Sequence, residues 1–280
     1  MAISAGLIGS PLTNSFSPRL FELFAARAGE KYSYSLLKTG PAGLGRALKR
    51  IKTSGWDGFN VTLPLKEKII PFLDALSPEA KAIGAVNAVL ITNGGLEGHN
   101  TDAFAVKFAL KEAGCRLHGR AGVVWGAGGA AKAAAWVLAA GGAAAVEIRS
   151  RSVSRGAELA KRMSAAFPKV SFASKKFSGG PGGNFTVFVN ATPLGMYAPL
   201  PPALRRNGPP GSFYLDFAYA PGLTPFLENR DGVIIPGTDL LLYQALKSAE
   251  LFGGRRVKSR EIVELKNSFR KDLRSWRPHA

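Results

Sequence analysis

The chain has 280 residues, 46% of them hydrophobic, and a formal net charge of +18 from 37 Lys and Arg against 19 Asp and Glu. This length allows one large or two modest domains, and the hydrophobic content is typical of a globular protein. A strongly basic balance can indicate a nucleic acid or an anionic membrane as partner. Here the basic residues are scattered, with local excess only at 149–155 and in the tail at 255–277, so we expect neither partner.

Cysteine and histidine content argues against a disulfide framework and against a metal site. Cys115 is the only cysteine, which suits a reducing compartment, and the three histidines form no metal-ligand spacing. The N-terminus lacks the features of a signal peptide, and the most apolar run, AAAWVLAAGGAAAV, is too short and weakly apolar for a transmembrane helix. We therefore expect a cytoplasmic protein without a metal.

In the first hundred residues, short apolar runs alternate with helical periods. AGLIGS predicts a strand, and SPRLFELFAARAG predicts a helix with Ser17 at its N-cap and Gly29 past its end. KYSYSLLK, GFNVTLP and AVNAVLIT predict further strands, with the helical AGLGRALKRIKTSG between the first two and a turn at NGG after the last. Asp102 then precedes or caps the next helix.

The stretch FNVTLPLKEK, residues 59–68, alternates apolar and polar positions as a strand does and then breaks at a proline. It brings Asn60, Thr62 and Lys66 together at the strand end. Buried amides, hydroxyls and ammonium groups need partners. The cluster therefore indicates either a binding site or a solvated surface turn.

The second half of the chain repeats the alternation of strands and helices. AGVVWGAGGAAKAAAWVLAAGG predicts a strand, a glycine turn and a helix, and further strands are predicted at VEIRSRS, KVSFAS, FTVFVNATP, SFYLDFAY and GVIIPG. Helical patterns close the chain from about Asp239. Such alternation is typical of a largely parallel, doubly wound sheet. We expect two α/β domains, with a boundary near the helix that follows Asp102.

The turn WGAGGAA matches a dinucleotide-binding fingerprint. Gly126 allows a tight turn, Gly128 lets the backbone approach a pyrophosphate, and Ala131 allows close packing of helix on strand. The helix N-terminus offers free N–H groups to the anion. The alternative is a tight turn without a ligand, but the strand before it and the helix after it favour the fingerprint.

The end of the next strand distinguishes NAD from NADP. An NAD site usually carries an acidic residue there, about 20 residues after the glycines. Here the strand ends in Ser150, Arg151 and Ser152, with Arg155 one turn later, while Glu147 lies within the strand. Guanidinium groups bind phosphate bidentately, so this tip favours the 2′-phosphate of NADP over a purely solvated helix start.

Nine stretches form one ordered set along almost the whole chain. They are GLIGSPLTNSFSP, FNVTLPLKE, IGAVNAV, GHNTD, GAGGAAKA, SRSVSR, NATPLGM, LDFAYAP and GTDLLLYQ. In order and spacing the sequence resembles the shikimate dehydrogenase family, the reductases of the aromatic amino-acid (chorismate) pathway.

The resemblance implies an α/β, two-domain fold with a cleft between the domains. Residues 1–101, completed by C-terminal helices at 239–280, would form a substrate-binding domain, and residues 102–238 a Rossmann-like NADP-binding domain. The implied reaction is the reversible reduction of 3-dehydroshikimate to shikimate with NADPH. The partner would be this small molecule, and the protein a monomer or homodimer.

The resemblance also implies roles for individual residues. Lys66 and Asp102 would be catalytic, because a lysine can protonate the reduced oxygen and a carboxylate can orient the lysine; which of them is the formal acid or base stays open. Ser15 and Ser17 would hold the substrate carboxylate. The full substrate set would be Ser15, Ser17, Asn60, Thr62, Lys66, Asn87, Asp102, Tyr219 and Gln244. The cofactor set would be Gly126, Ala127, Gly128, Gly129, Ala130, Ser150, Arg151, Ser152, Arg155, Thr192, Phe217 and Gly237, the last three around the nicotinamide end.

Some positions depart from the family pattern. Asn14 replaces a common histidine, Ala105 replaces a glycine, and residues 252–255 replace Trp-Thr-Gly. None of these changes removes a proposed catalytic group. They bear on ligand affinity and on how the C-terminal helices complete the first domain.

Three alternatives remain, one of which is a structural pseudoenzyme that the changes at Leu240 and Ala105 permit but do not suggest. A quinate/shikimate dehydrogenase that uses NAD would need an acidic residue at the strand tip, where Ser150 and Arg151 stand. A basic nucleic-acid-binding protein that has lost the activity would explain the charge, but Lys66 and Asp102 are retained.

Overall fold

The computed structural model describes residues 2–13, 15–177, 183–253 and 258–275. The chain forms two compact units, one made of Met1–Thr101 and Leu242–Ala280 and the other of Asp102–Leu241. Asn14, positions 254 and 255 of the altered segment, and part of the basic tail lie outside the described residues.

Strands occur along the described chain at intervals typical of an α/β protein. They are β1 (Ala2–Gly9), β2 (Lys31–Lys38), β3 (Gly58–Val61), β4 (Ala75–Leu76), β5 (Ala88–Thr92), β6 (Gly95–His99), β7 (Ala121–Trp125), β8 (Ala145–Ser150), β9 (Ser171–Lys176), β10 (Val187–Asn190), β11 (Ser212–Asp216) and β12 (Gly232–Ile235).

The α-helices lie between these strands and at the end of the chain. They are α1 (Ser17–Ala28), α2 (Leu44–Lys52), α3 (Pro78–Ile83), α4 (Thr101–Glu112), α5 (Gly129–Ala140), α6 (Val153–Ala166), α7 (Gly237–Gly253) and α8 (Ser259–Ser275). Among the described residues, none of the helices has the length and apolar content needed to span a membrane.

Within the described part of the first unit, six strands form a mixed sheet in the order β2-β1-β3-β5-β6-β4. Strand β1 runs parallel to β2 and β3, whereas β5 runs antiparallel to β3 and β6. The carboxyl ends of β1, β3 and β6 and the amino end of β5 therefore lie along one edge of the sheet. The strand β6 was not predicted, because GLEGH is short, contains two glycines and has little strand propensity.

Helix α1 covers part of this unit with an apolar face that includes the buried Leu20, Phe21 and Phe24. It ends at Gly29, whose φ of 65° lets its N–H donate to Ala25 O. The predicted N-cap was wrong by one residue. Phe16 holds the cap position without a side-chain hydrogen bond, and Ser17 is the first helical residue. Capping therefore does not explain the buried Ser17.

In the second unit, the described residues form a sheet of six strands in the order β12-β11-β10-β7-β8-β9, and every neighbouring pair is parallel. Counted from β7, this is the 3-2-1-4-5-6 order of a Rossmann fold. The strand order reverses between β7 and β10, and ligands of such sheets bind at the carboxyl ends beside this point. The predicted two-domain α/β fold, Rossmann-like in its second unit, is confirmed in this architecture.

An aromatic core lies in the second unit. Trp125 stacks with Phe188 at a centroid distance of 6.2 Å, and Phe188 stacks with Tyr214 at 5.0 Å. These side chains come from β7, β10 and β11, the central and neighbouring strands of the sheet. Their packing holds the carboxyl ends of these three strands in register.

Candidate active site

The first unit brings together most of the predicted substrate residues at the edge where β1, β3 and β6 end. Ser15 follows β1, Asn60 and Thr62 lie at the end of β3, and Asn87 directly precedes β5. Thr62 N–H continues the strand ladder to Ile8 O at 2.9 Å, and Val86 N–H donates to the carbonyl of Lys66 at 2.8 Å. Residues up to 72 positions apart in the chain thus share one edge because of the strand order.

Asn60 is buried, and its side-chain amide bonds to three protein groups. Its Nδ2 donates to Asn87 O at 3.1 Å and to Ser248 Oγ at 2.7 Å, while its Oδ1 accepts from the Tyr34 hydroxyl at 2.9 Å. The carbonyl of Asn87 can only accept, which fixes the orientation of the amide. Both amide hydrogens are thus used within the protein. Toward a ligand Asn60 can offer an oxygen lone pair.

A second set of buried hydrogen bonds links Asn87 to Thr101 at the start of α4. Thr101 N–H donates to Asn87 Oδ1 at 2.6 Å, and Asn87 Nδ2 donates to Thr101 Oγ1 at 3.0 Å. Asn87 therefore satisfies one of the N–H groups that a helix N-terminus leaves without a helical partner. The sequence left open whether Asp102 caps this helix. It does not, because α4 already begins at Thr101.

Ser248 connects the hydrogen bonds around Asn60 with those between Asn87 and Thr101. Its hydroxyl donates to Gln244 O at 2.9 Å and lies 3.2 Å from Thr101 Oγ1, in addition to accepting from Asn60. Helix α7 is thereby attached to the polar end of β3, and Gln244 lies one turn before this attachment. Sequence reasoning missed Ser248, Tyr34 and Thr101. For Ser248 the spacing of four residues from Gln244, which puts both on one helix face, was an available signal.

The predicted dinucleotide site lies at the carboxyl edge of the second sheet. Gly126 has a φ of 122°, and a Cβ there would lie 2.7 Å from Ala191 O and 3.4 Å from the methyl of Ala131. A side chain at Gly126 would therefore clash, as the fingerprint requires. A Cβ at Gly128 would meet nothing within 4 Å. Open space in front of the α5 N-terminus, which has no side-chain cap, fits a pyrophosphate.

The tip of β8 lies beside this turn. An Arg155 guanidinium nitrogen donates to Ala127 O at 3.4 Å, so the start of α6 reaches the glycine turn. Ser152 caps α6 by accepting from Arg155 N–H, and Ser150 Oγ donates to Ser152 O at 2.7 Å. Arg151 is exposed at this tip. Two arginines and a helix N-terminus here fit a 2′-phosphate.

Glu147 lies within β8, as predicted, and its carboxylate has two cationic partners. Arg149 Nε lies 2.5 Å from Oε1, and Lys175 Nζ lies 2.8 Å from Oε2. Glu147 is thus an ion-pair residue inside the strand. This removes the one acidic side chain of β8 from consideration as the ribose-binding residue of an NAD site.

Thr192, Phe217 and Gly237, predicted at the nicotinamide end, follow the carboxyl ends of β10, β11 and β12. Thr192 Oγ1 donates to Asn190 Oδ1 at 2.6 Å, and Phe217 N–H donates to Asn190 O at 2.9 Å. Asn190 therefore supports this turn. Tyr219, a predicted substrate residue, lies partly buried two residues after Phe217. Within the described ranges, no group of three or more His, Cys, Asp and Glu side chains could hold a metal ion.

A sequence model of the shikimate dehydrogenase substrate binding domain matches residues 7–89. A relative from Moorella thermoacetica, named shikimate dehydrogenase (NADP(+)), is 36% identical over 262 residues, which cover 90% of this chain and 88% of the relative. The chain belongs to the shikimate dehydrogenase family. The nine ordered stretches of the sequence are thus explained by membership of this family.

Solved structures of shikimate dehydrogenases share the fold. The Thermus thermophilus enzyme, solved in complex with NADP(H) and shikimate, is 30% identical with a TM-score of 0.79, and the match covers 95% of this chain and 99% of that one. A ligand-free 5-ketofructose reductase from Gluconobacter has a TM-score of 0.82 at 28% identity, covering 96% of this chain and 99% of the reductase. The fold alone therefore does not select the ketone.

Proposed function

We propose that this protein catalyses the reversible reduction of 3-dehydroshikimate to shikimate with NADPH. It is an NADP-dependent oxidoreductase of the shikimate dehydrogenase family, and its reaction belongs to aromatic amino-acid biosynthesis. Family membership over about nine tenths of the chain carries this conclusion. The glycine turn and the arginine-bearing tip of β8, joined by Arg155 and Ala127, support the choice of NADP.

Each unit takes one ligand in this proposal. The unit that contains residues 7–89 binds the substrate, as the matching family description suggests. The Rossmann-ordered unit binds NADP, since its predicted cofactor residues all lie at the carboxyl edge of a parallel sheet. The pyrophosphate lies at the α5 N-terminus, and Arg151 and Arg155 bind the 2′-phosphate.

Hydroxyl and amide groups of the first unit hold the substrate. Ser15 and Ser17 bind its carboxylate, and Ser15 Oγ lies 3.4 Å from Ser17 N, so the two serines are adjacent. Thr62, Asn87 and Gln244 bind ring hydroxyls. Asn60 offers the substrate only a lone pair of Oδ1, because its N–H groups bond to Asn87 and Ser248. Its main role is to hold Asn87 and Ser248 in place.

Lys66 and Asp102 carry the proton chemistry. When bound, NADPH supplies the hydride that the ketone carbon accepts. The carbonyl oxygen then needs a proton, which Lys66 donates while its positive charge stabilises the developing negative charge. Asp102, which is buried, is the second proposed catalytic group, a carboxylate that can accept or release a proton. In the oxidative direction the same groups accept the proton from the shikimate hydroxyl.

A matrix of substrates and cofactors tests the proposal. Purified protein receives shikimate, quinate or the reduced product of 5-ketofructose, each with NADP or NAD, and the formation of reduced nicotinamide is followed by absorbance. Activity confined to shikimate with NADP is expected. Activity with quinate and NAD would establish the alternative specificity, and silence with every pair would reject the dehydrogenase assignment.

The remaining features of the proposal concern assembly and setting. We propose a monomer or homodimer that works in the cytoplasm with a small anionic substrate and without nucleic acid. The single cysteine, Cys115, supports a reducing compartment. Sedimentation equilibrium of the purified protein tests the assembly state, and binding to an oligonucleotide that competes with NADP would contradict the exclusion of nucleic acid.

A further inference from the structure

The three residues proposed for the nicotinamide end are connected to one buried carboxylate that the reaction scheme does not use. Asp216 is the last residue of β11, and its side chain is fully buried. Its Oδ1 accepts from Asn190 Nδ2 at 2.8 Å and from Ala218 N–H at 2.9 Å, and the Thr224 hydroxyl donates to Oδ2. The Asp216 side chain is thus hydrogen-bonded to the last residue of β10, to the segment just after β11 and to the loop that contains Thr224.

The bond to Asn190 controls the turn that contains Thr192. Asn190 Nδ2 also donates to Leu194 O at 3.1 Å, so both ends of the turn are bound to one amide. Asn190 Oδ1 accepts from Thr192 N–H at 3.1 Å and from Thr192 Oγ1 at 2.6 Å. The carboxylate can only accept a hydrogen bond, so the Nδ2 of Asn190 points toward Asp216. The Oδ1 of Asn190 therefore points toward Thr192.

The bond to Ala218 controls the backbone around Phe217. Ala218 N–H is held by Asp216, and Phe217 N–H by Asn190 O, so two successive amides are bonded to one pair of residues. Gly237, the first residue of α7, packs directly on this segment, since a Cβ there would lie 2.1 Å from Ala218 O. All three proposed nicotinamide residues therefore depend on the arrangement around Asp216.

We propose that Asp216 is a positioning residue of the nicotinamide end of the cofactor site. It acts through Asn190 and Ala218 and holds Thr192, Phe217 and Gly237 in one arrangement. The proposal rests on the proposed binding of NADP by this unit. It predicts that replacing Asp216 weakens binding of the nicotinamide half of the cofactor and leaves binding of the half that carries the 2′-phosphate unchanged.

The cost of this carboxylate supports a functional role. Burial raises the pKa of Asp216 to about 7, against the opposing effects of Thr224, Ala218 and Asn190 and of the Arg230 charge. An apolar or neutral side chain at the position would avoid this cost. Strongly perturbed carboxyls occur preferentially at functional sites.

Two variants separate positioning from charge. Asp216→Leu has the same branched outline with two larger methyl groups in place of the oxygens and removes every acceptor. Asp216→Asn keeps an oxygen for Asn190 and Ala218 and turns an N–H toward Thr224 Oγ1. Asp231→Leu, an exposed aspartate of the same unit, is the matched control. If Asp216→Leu does not fold, Asn190→Ser removes the same link to Thr192.

Calorimetric titration of the purified variants with NADP and with 2′,5′-ADP, which lacks the nicotinamide, measures the effect without turnover. We expect Asp216→Leu to weaken NADP by about tenfold or more, to change 2′,5′-ADP by less than about twofold, and Asp216→Asn to restore NADP affinity. Equal losses for both ligands, unchanged NADP affinity, or an asparagine variant as weak as the leucine variant would overturn the proposal. Failure of the wild type to bind either ligand would instead reject the proposed NADP function.

Discussion

At the scale of single residues, the polar side chains of the proposed site divide by where their hydrogen bonds go. Asn60, Asn87 and Asp216 are buried and bonded to other protein groups, so they orient their neighbours. Arg151 is exposed at a strand end, where a ligand can reach it. Truncating a buried, bonded side chain destabilises the protein because its partners lose hydrogen bonds. Truncating an exposed side chain such as Arg151 mainly weakens ligand binding.

Lys66 is expected to act in the transition state. Lys66→Ala should lower kcat by about 10² to 10⁴ and leave the affinity for NADP nearly unchanged, because general acid catalysis contributes on this order. Steady-state kinetics with shikimate and calorimetry with NADP measure the two effects. Lys68→Ala, two positions away and exposed, is the control. Unchanged turnover in Lys66→Ala would remove this lysine from the mechanism.

Arg151 is expected to distinguish the two nicotinamide cofactors. Arg151→Ala should weaken NADPH by about tenfold to a hundredfold and NADH hardly at all, because a charge-assisted hydrogen bond to phosphate contributes about 1.5–3 kcal/mol. Fluorescence titration with both reduced cofactors measures the difference. Arg162→Ala, exposed on the helix α6 that follows Arg151, serves as the comparison. Parallel losses for NADPH and NADH would contradict a 2′-phosphate contact.

At the scale of elements, strand order and one helix determine the substrate edge. Strand β3 lies between β1 and β5, so the loops after β1 and β3 and before β5 meet at one edge. Helix α7 is joined to this edge through Ser248, which accepts from Asn60 and donates to Gln244 O. A single hydroxyl is thus hydrogen-bonded to both of these sequence-distant elements.

Ser248 is expected to matter for substrate affinity although it is fully buried. Ser248→Ala leaves one Asn60 N–H without its acceptor, at a cost of about 1–3 kcal/mol. The KM for shikimate should rise severalfold while the KM for NADP stays within about twofold, since only the first unit is disturbed. Ser35→Ala, an exposed serine on β2, is the control. A lower melting temperature with both KM values unchanged would show that Ser248 is structural only.

At the scale of the whole molecule, each unit has its own sheet, and in each the proposed ligand residues lie along one sheet edge. The units differ in how this edge is built. The second sheet is parallel throughout, whereas the first contains antiparallel strands that bring Asn87 to the edge from the opposite direction. The large positive charge is a property of the whole chain that neither site accounts for.

The stability of the protein should depend on pH through Asp216. Its pKa is raised to about 7 in the folded protein from the ordinary 3.8, so the folded state binds the proton more strongly than the unfolded chain. The contribution of this group to the free energy of unfolding is therefore greatest below the ordinary pKa and is lost as pH rises toward 7. Asp216→Asn does not titrate, so it should gain stability relative to wild type as pH rises from about 4 to about 7.

Thermal unfolding of both proteins at several pH values measures this difference, with Asp231→Asn as an exposed control. A difference in melting temperature that stays constant over the whole range would contradict a raised pKa at Asp216.

Sequence alone determined the elements and motifs that depend on neighbouring residues. Period-two and helical patterns predicted most of the strands and helices, although not β6. The glycine turn with the arginine tip predicted an NADP site, because φ requirements and charge can be recognised locally. The ordered stretches indicated the family. The substrate and cofactor residues themselves remain predictions that the kinetic and binding tests above address.

Only the tertiary structure decided which polar groups bond to one another. Asn60 and Ser248 are 188 positions apart, and Asn190 and Asp216 are 26 apart on neighbouring strands. Such pairs depend on strand order and helix docking, which no local pattern encodes. The same reason explains why the sequence could not indicate the burial of Asp216. Burial and hydrogen-bond partners are properties of the folded chain.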